Sequence, residues 1–186
     1  NVADYLDFQH GDTEKGFQQA EVVVEKETHT AAVHQGYIEP HSATGLWDAE
    51  GNITLWSSSQ GHFMVQDMTA TIVGVPVSRV KAIQMEIGGG FGGKLTIYLQ
   101  PVAAVLSKKS GRPVKMVMDY LDEFMAANPR HSSILQVKTG VKRDGTILAH
   151  HVTGIFDSGA YGAFKPSVNL MGFSHAGAPY KTPHVK

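Results

Sequence analysis

The chain has 186 residues, of which 42% are hydrophobic and 18% charged, the proportions of a globular chain rather than of a disordered or coiled-coil one. Sixteen Lys and Arg against seventeen Asp and Glu leave a formal charge of −1, so there is no electrostatic case for nucleic acid or an anionic membrane as partner. Cysteine is absent, which excludes disulfides, Cys-type zinc sites, protein-ligated iron–sulfur clusters and thiolate nucleophiles on this chain. That absence fits a reducing cytosol, and a cytoplasmic location is expected. No apolar run approaches the roughly 20 residues of a membrane-spanning helix.

In chain order, residues 20–32 alternate apolar and polar positions around a Val-rich stretch and predict a strand. Residues 37–47 are strand-like with an interruption at Pro40. Residues 48–52 (DAEGN) signal a turn and 53–56 the next strand, together a hairpin or short meander. From Gly61 the period becomes helical, with Phe63, Val65, Met68, Ile72 and Val73 near one face and Gly74-Val75-Pro76 as the stop. A strand over 79–87 then runs straight into the run Gly88-Gly89-Gly90-Phe91-Gly92-Gly93-Lys94. A helix follows through 102–106. Pro101 conflicts with a start at Leu95, so a kink or a late start is expected. Residues 114–118 predict a short buried strand, and 119–127 one or two helical turns. Strands over 133–141 and 146–156 flank an Asp144-Gly145 hairpin turn. Residues 159–186, rich in Gly, Pro and His, read as loop. The pattern is α+β, a single domain over residues 1–186 built around a glycine-rich strand-to-helix loop.

That loop is where chemistry concentrates. Glycines permit positive φ and let a ligand approach the main chain without a Cβ clash, and free amides at a following helix start attract anions. The run satisfies the first part of a phosphate-binding pattern, but Leu95 replaces the hydroxyl that would hold Mg²⁺. Gly88, Gly90 and Gly93 have dinucleotide-type spacing without the acidic residue about 20 positions on. On these grounds the loop reads as a cofactor contact, a phosphate or nucleotide site using Lys94, or a flexible hinge.

The run, preceded by Gly74-Val75-Pro76-Val77-Ser78-Arg79-Val80, resembles the molybdopterin-binding portion of the xanthine dehydrogenase and aldehyde oxidase family. Other segments agree in order: Asn1-Val2-Ala3-Asp4 with Gly11-Asp12, Tyr37-Ile38-Glu39-Pro40, Ser59-Gln60, Arg130-His131, Asp144-Gly145-Thr146-Ile147 and Asp157-Ser158-Gly159-Ala160-Tyr161. The resemblance implies a molybdenum hydroxylase that oxidises an aldehyde or N-heterocycle with water as oxygen source. It implies molybdopterin as cofactor, with the molybdenum held through the pterin dithiolene and no protein metal ligand. Gln60 would lie beside the apical oxo ligand, and Gly89, Gly90, Phe91, Gly92 and Gly93 would contact the cofactor. The partners implied are the remainder of the large subunit and iron–sulfur and flavin domains or subunits, which carry the iron–sulfur clusters and FAD. The chain is then expected to be a fragment that is silent alone, because the family's catalytic glutamate comes later in its order. A non-catalytic scaffold of the same fold is the alternative.

Two positions depart from the purine-oxidising members, where the resemblance would place a glutamate at Leu95 and an arginine near Met171. An aldehyde or an apolar heterocycle is therefore expected in preference to xanthine. Glu39 reads as a strand-end carboxylate capping nearby amides rather than as a base. The histidines lack a His-x-x-x-His or a carboxylate at ligand spacing, and Ser57-Ser58-Ser59 lacks a nucleophile elbow. Met64, Met68, Met85, Met116 and Met118 read as core gap-fillers, and Trp47 and Trp56 as a packing pair across the turn.

Overall fold

The computed structural model describes residues 2–160, 162, 167–175, 177 and 179–186, with 167–170 described by their backbone alone. In chain order the elements are α1 (Thr13–Gln18), β1 (Val22–Thr30), β2 (Ser42–Trp47), β3 (Ile53–Ser57), α2 (His62–Val73), β4 (Val80–Gln84) and α3 (Gln100–Ser110). They continue with β5 (Val114–Val117), α4 (Tyr120–Ala126), β6 (Ser133–Val141), β7 (Ile147–Phe156), α5 (Ser167–Ser174) and β8 (His184–Val185). The mixture of helices and strands is the α+β architecture expected. The chain forms two compact units, one made of Asn1–Val33 with Arg130–Lys186 and the other of His34–Pro129.

The His34–Pro129 unit is a four-stranded sheet in the order β4-β3-β2-β5. The β2–β3 hairpin turns at Asp48, whose carboxylate accepts the amides of Glu50 (3.0 Å) and Asn52 (2.8 Å). Those backbone donors hold its pKa below the usual carboxylate value. β3 and β4 are parallel, as a crossover through α2 requires. Ile53 and Leu55 of β3, Val65 and Ala70 of α2, Val80 and Ala104 form the buried core. α3 crosses β2 so closely that a Cβ on Gly45 would lie 2.8 Å from the Ala103 and Ala104 backbone.

Several details differ from the sequence reading. α2 buries Val65, Thr69 and Ala70, while Phe63 and Ile72 are 70% and 60% exposed. The close approach to the sheet selects small side chains, and the large ones turn outward. Trp47 pairs with Ile53 and Trp56 with Thr44, so successive side chains of the pleat put the two indoles on opposite sheet faces. Trp47 instead lies beneath the Lys108 ammonium, 4.2 Å from the ring centroid. Met68 and Met85 are exposed, not core. β5 is an edge strand with Val117 exposed rather than a buried one. The helix after the glycine run does start late, at Gln100 with Pro101 in its first turn, where a missing N–H costs nothing.

The other unit is a sheet in the order β1-β6-β7-β8. Val22 pairs with Val141 and Thr30 with Ser133, and the Asp144-Gly145 hairpin joins β6 to β7. β1 is exposed along its whole length. α1 is too short to show a periodicity; Asp12 caps it by accepting the Lys15 amide at 3.0 Å. The tail read as loop contains α5 and the two-residue β8, which pairs parallel with β7.

Candidate functional site

β3 and β4 end level with one another: Ser57 pairs with Gln84, and the Met85 amide donates to the Ser57 carbonyl at 3.1 Å. Beyond β3 the chain runs through Ser58, Ser59 and Gln60 into α2. Beyond β4 it enters the glycine run. The two segments thus leave the carboxyl ends of adjacent parallel strands, where open α/β sheets place their ligands.

The glycine run folds back onto Gln60. The Gln60 amide donates to the Lys94 carbonyl (2.9 Å), and Gln60 Oε1 accepts the amides of Gly92 (3.0 Å) and Lys94 (3.2 Å). Two backbone donors on one side-chain oxygen settle which end of the amide is which. Oε1 faces the loop, and Nε2 is the end left to donate elsewhere. A tight turn closes through Gly93 N to Gly90 O at 2.7 Å. Phe91 (φ 49°) and Gly92 (φ 87°) both take positive φ within it, the requirement of a mirror-image turn. Phe91 is the one non-glycine residue in that region among the described residues. A Cβ on Gly90 would lie 2.5 Å from Gln60 Oε1, and one on Gly93 2.8 Å from the Tyr37 ring. The amides of Gly89 and Gly90 donate to no other described residue.

Lys94, at the end of the run, is fully buried. Its ammonium donates to Glu39 Oε2 at 2.6 Å and lies 4.9 Å from the centre of the Tyr37 ring. The same Glu39 oxygen accepts the Gly88 amide at 2.7 Å, so Glu39 is the amide-capping carboxylate expected, with a cation added. Below the loop, Tyr37 donates its hydroxyl to Glu123 Oε2 at 2.7 Å. His41 gives Glu123 both its amide and, at 2.9 Å, its ring Nδ1, and His34 Nε2 stands 3.6 Å away. Burial, then the Glu123 hydrogen bond, pushes the Tyr37 hydroxyl far above its ordinary value. Burial also lowers the His41 imidazole below its ordinary value, against the pull of Glu123. Burial opposes the charge on Glu123, but the His41 amide, the Tyr37 hydroxyl and the His41 ring together hold its carboxyl below the usual range.

Of the residues singled out in the sequence, Gln60, Gly90, Gly92 and Gly93 are brought into direct contact, with Phe91 inside the turn and Gly89 directly before it. Leu95 follows directly, whereas exposed Met171 belongs to the other compact unit. The run lies in the connection from β4 to α3, but α3 begins only at Gln100; its amides are therefore not a helix N-terminus. The floor of Tyr37, His41 and Glu123 was missed. Residues 37–41 lie before β2 and bend at Ile38 and Glu39, so no strand period marks Tyr37 and His41, and nothing in the sequence ties them to Glu123. Among the described residues no group of three or more His, Asp and Glu is arranged to hold a metal ion, and no helix is long and apolar enough to cross a membrane.

Residues 1–186 match the family model of the molybdopterin cofactor-binding domain. The chain is 31% identical over 186 residues to a probable xanthine dehydrogenase subunit of Bacillus subtilis (strain 168), covering 100% of itself and 25% of that protein. It is 32% identical over 186 residues to the nicotinate dehydrogenase large molybdopterin subunit of Eubacterium barkeri, again covering 100% of itself and 44% of that protein. Among solved structures it is similar to the aldehyde oxidoreductase from Desulfovibrio gigas, with TM-score 0.84 and 28% identity over 96% of this chain and 20% of that one. The chain thus spans between a quarter and a little under half of the length of these two curated relatives. By a family match that runs its whole length, and by a fold shared with a solved aldehyde oxidoreductase, this chain belongs to the molybdopterin cofactor-binding domain family.

Proposed function

We propose that residues 1–186 act as one cofactor-binding module of a molybdenum hydroxylase, holding the molybdenum end of molybdopterin between Gln60 and the backbone of Gly89, Gly90, Phe91, Gly92 and Gly93. The observation that carries this reading is the orientation of Gln60. Its Oε1 is taken by the Gly92 and Lys94 amides, which leaves Nε2 as a donor in the same neighbourhood as the amides of Gly89 and Gly90, which have no acceptor among the described residues. An electron-rich oxo and pterin group fits such a donor set, and the side-chain-free backbone lets it approach closely.

When bound, the cofactor supplies the two-electron redox centre at which an aldehyde or N-heterocycle is oxidised with oxygen from water. The chain's own part is to bind and orient. Gln60 and the loop amides are fixed before any ligand arrives, so they stabilise developing negative charge without reorganising. Leu95 gives the neighbouring position an apolar side chain, in keeping with an aldehyde or apolar heterocycle rather than xanthine. The base, the remainder of the large subunit, and the iron–sulfur and flavin domains or subunits are contributed from outside this chain, in the cytoplasm. A phosphate-loop reading is disfavoured by Lys94, whose ammonium is buried against Glu39 instead of facing a ligand.

The test is made on the full-length native protein. Molybdenum and pterin should co-purify with it, and Gln60→Ala should lower turnover by about a hundredfold, the size of losing one oriented donor, while cofactor content falls far less. Native protein free of molybdenum and pterin would favour a non-catalytic scaffold. Full activity in Gln60→Ala would remove Gln60 from the site.

A further inference from the structure

The glycine run is held from two sides. Gln60 fastens its middle and end through Gly92 and Lys94, but its beginning, Gly88, has a different partner. The Gly88 amide donates to Glu39 Oε2 at 2.7 Å, and the Lys94 ammonium donates to the same oxygen at 2.6 Å. Residues six apart at the two ends of the loop therefore meet on a single atom. The Glu39 amide adds a contact to the Gly88 carbonyl at 3.4 Å, and a Cβ on Gly88 would lie 2.6 Å from the Glu39 Cβ.

We infer that Glu39 is a positioning residue that closes the glycine loop by joining its first amide to the buried Lys94 ammonium. Lys94 is 0% and Glu39 32% exposed, so the cation has no access to water and depends on its partner. Among the described residues Glu39 is the one carboxylate within ion-pair distance of Lys94. Glu123, the other carboxylate beneath the loop, is occupied by Tyr37 and His41. Removing one partner of a buried pair leaves an uncompensated charge, which costs far more than the pair itself contributes. The loop end would then move to hydrate the ammonium, and Gly92 and Lys94 would lose their register on Gln60.

The closure itself stands on geometry alone; its consequence for the cofactor rests on the function proposed above. The test is a double-mutant cycle in the full-length protein with Glu39→Gln, Lys94→Met and the pair together, read by amide hydrogen exchange over residues 88–94 and by molybdenum per protein. Gln keeps an oxygen for the Gly88 amide and loses only the charge. Glu39→Gln should accelerate exchange in 88–94 at least about tenfold while β3 amides hold their wild-type protection, a local effect that a general loss of stability would not produce. In the Lys94→Met background the same substitution should change loop exchange less than about threefold, because the charge it neutralised is gone. Unchanged loop exchange in Glu39→Gln, or equal losses in both backgrounds, overturns the inference. Should Glu39→Gln fail to fold, the comparison of Lys94→Met with the double variant decides by the same criterion. Molybdenum content should fall with loop protection. A wild-type protein that carries no molybdenum would sink the cofactor reading, and the exchange measurement would still judge Glu39.

Discussion

The two sheets of the molecule have four strands each, but the central strand of one and the first strand of the other lie at opposite ends of the burial scale. In the His34–Pro129 unit, β3 presents Ile53 and Leu55 at 0% exposure to a layer formed by α2 and α3. In the other unit β1 is exposed along all nine residues, with Val22, Val23 and Val24 between 40% and 58% exposed. The candidate site lies on the first of these. A constellation that depends on angstrom-scale agreement between Gln60 and the Gly92 amide needs strands whose ends cannot drift, and a strand clamped between neighbours and beneath helices supplies that.

The contrast can be broken at its strongest point with Leu55→Ala. The side chain has no solvent contact, so about 2–5 kcal/mol of protection should be lost, measured as faster hydrogen exchange across β3 and α2. Protection unchanged within error would mean the covered sheet is not the rigid partner. Gly92→Val is the next largest. A β-branched side chain at φ 87° is strained wherever space exists, and at least about 1–2 kcal/mol should be spent there. The loop, rather than the sheet, should yield, with molybdenum content falling while β3 stays protected. Full cofactor occupancy would count against a backbone contact at Gly92.

A third comparison uses acid. His41 has its imidazole lowered below 6.5 by burial, so the fold favours the neutral ring; that contribution is complete above pH 6.5 and is lost as pH falls through and below it. Glu123 has its carboxyl lowered below 4.5, so its contribution is present above that value and is lost as pH falls through the folded one. The melting temperature should therefore hold at neutral pH and decline in acid in two stages. Glu123→Gln should shrink the lower stage, to which Asp48 also contributes, as scanning fluorimetry across pH 7 to 3 would show. Identical acid limbs in variant and wild type would exclude Glu123 as the titrating group. The smallest effect is expected at Val24→Thr on exposed β1, within about 0.5 kcal/mol. A larger loss would show that β1 is covered in the intact protein.

Much of this architecture was legible because it rests on local chemistry. Asp48 and the Asp144-Gly145 pair mark their hairpins through side-chain and backbone preferences that operate within a few residues. Pro101 announces the late start of α3, and Gly74 ends α2 with φ 73°. The burying face of α2 was not legible, because hydrophobicity ranks Phe63 and Ile72 above Thr69 and Ala70, whereas the closeness of the sheet ranks them the other way. The glycine loop could be singled out by composition and by resemblance, and Gln60 by resemblance alone. The floor beneath it could not. Glu123 reaches His41 across 82 positions of sequence, and the pairing of Lys94 with Glu39 across 55, distances at which no local preference carries information.

The level ending of β3 and β4 has a further consequence for how this site can change. Adding a residue to the crossover between the strands, at the exposed C-terminal end of α2 near Gly74, leaves the pairing of Ser57 with Gln84 untouched. Adding one within β4 moves everything after it by about 3.3 Å and turns each side chain to the other face, which would carry Gly92 away from Gln60. The crossover is therefore free to vary in length and the strands are not. Insertions that diversify proteins of this architecture should accumulate on the helical side of the sheet, with the distance from Ser57 to Gln60 and from Gln84 to Gly92 kept constant like the two arms of a caliper.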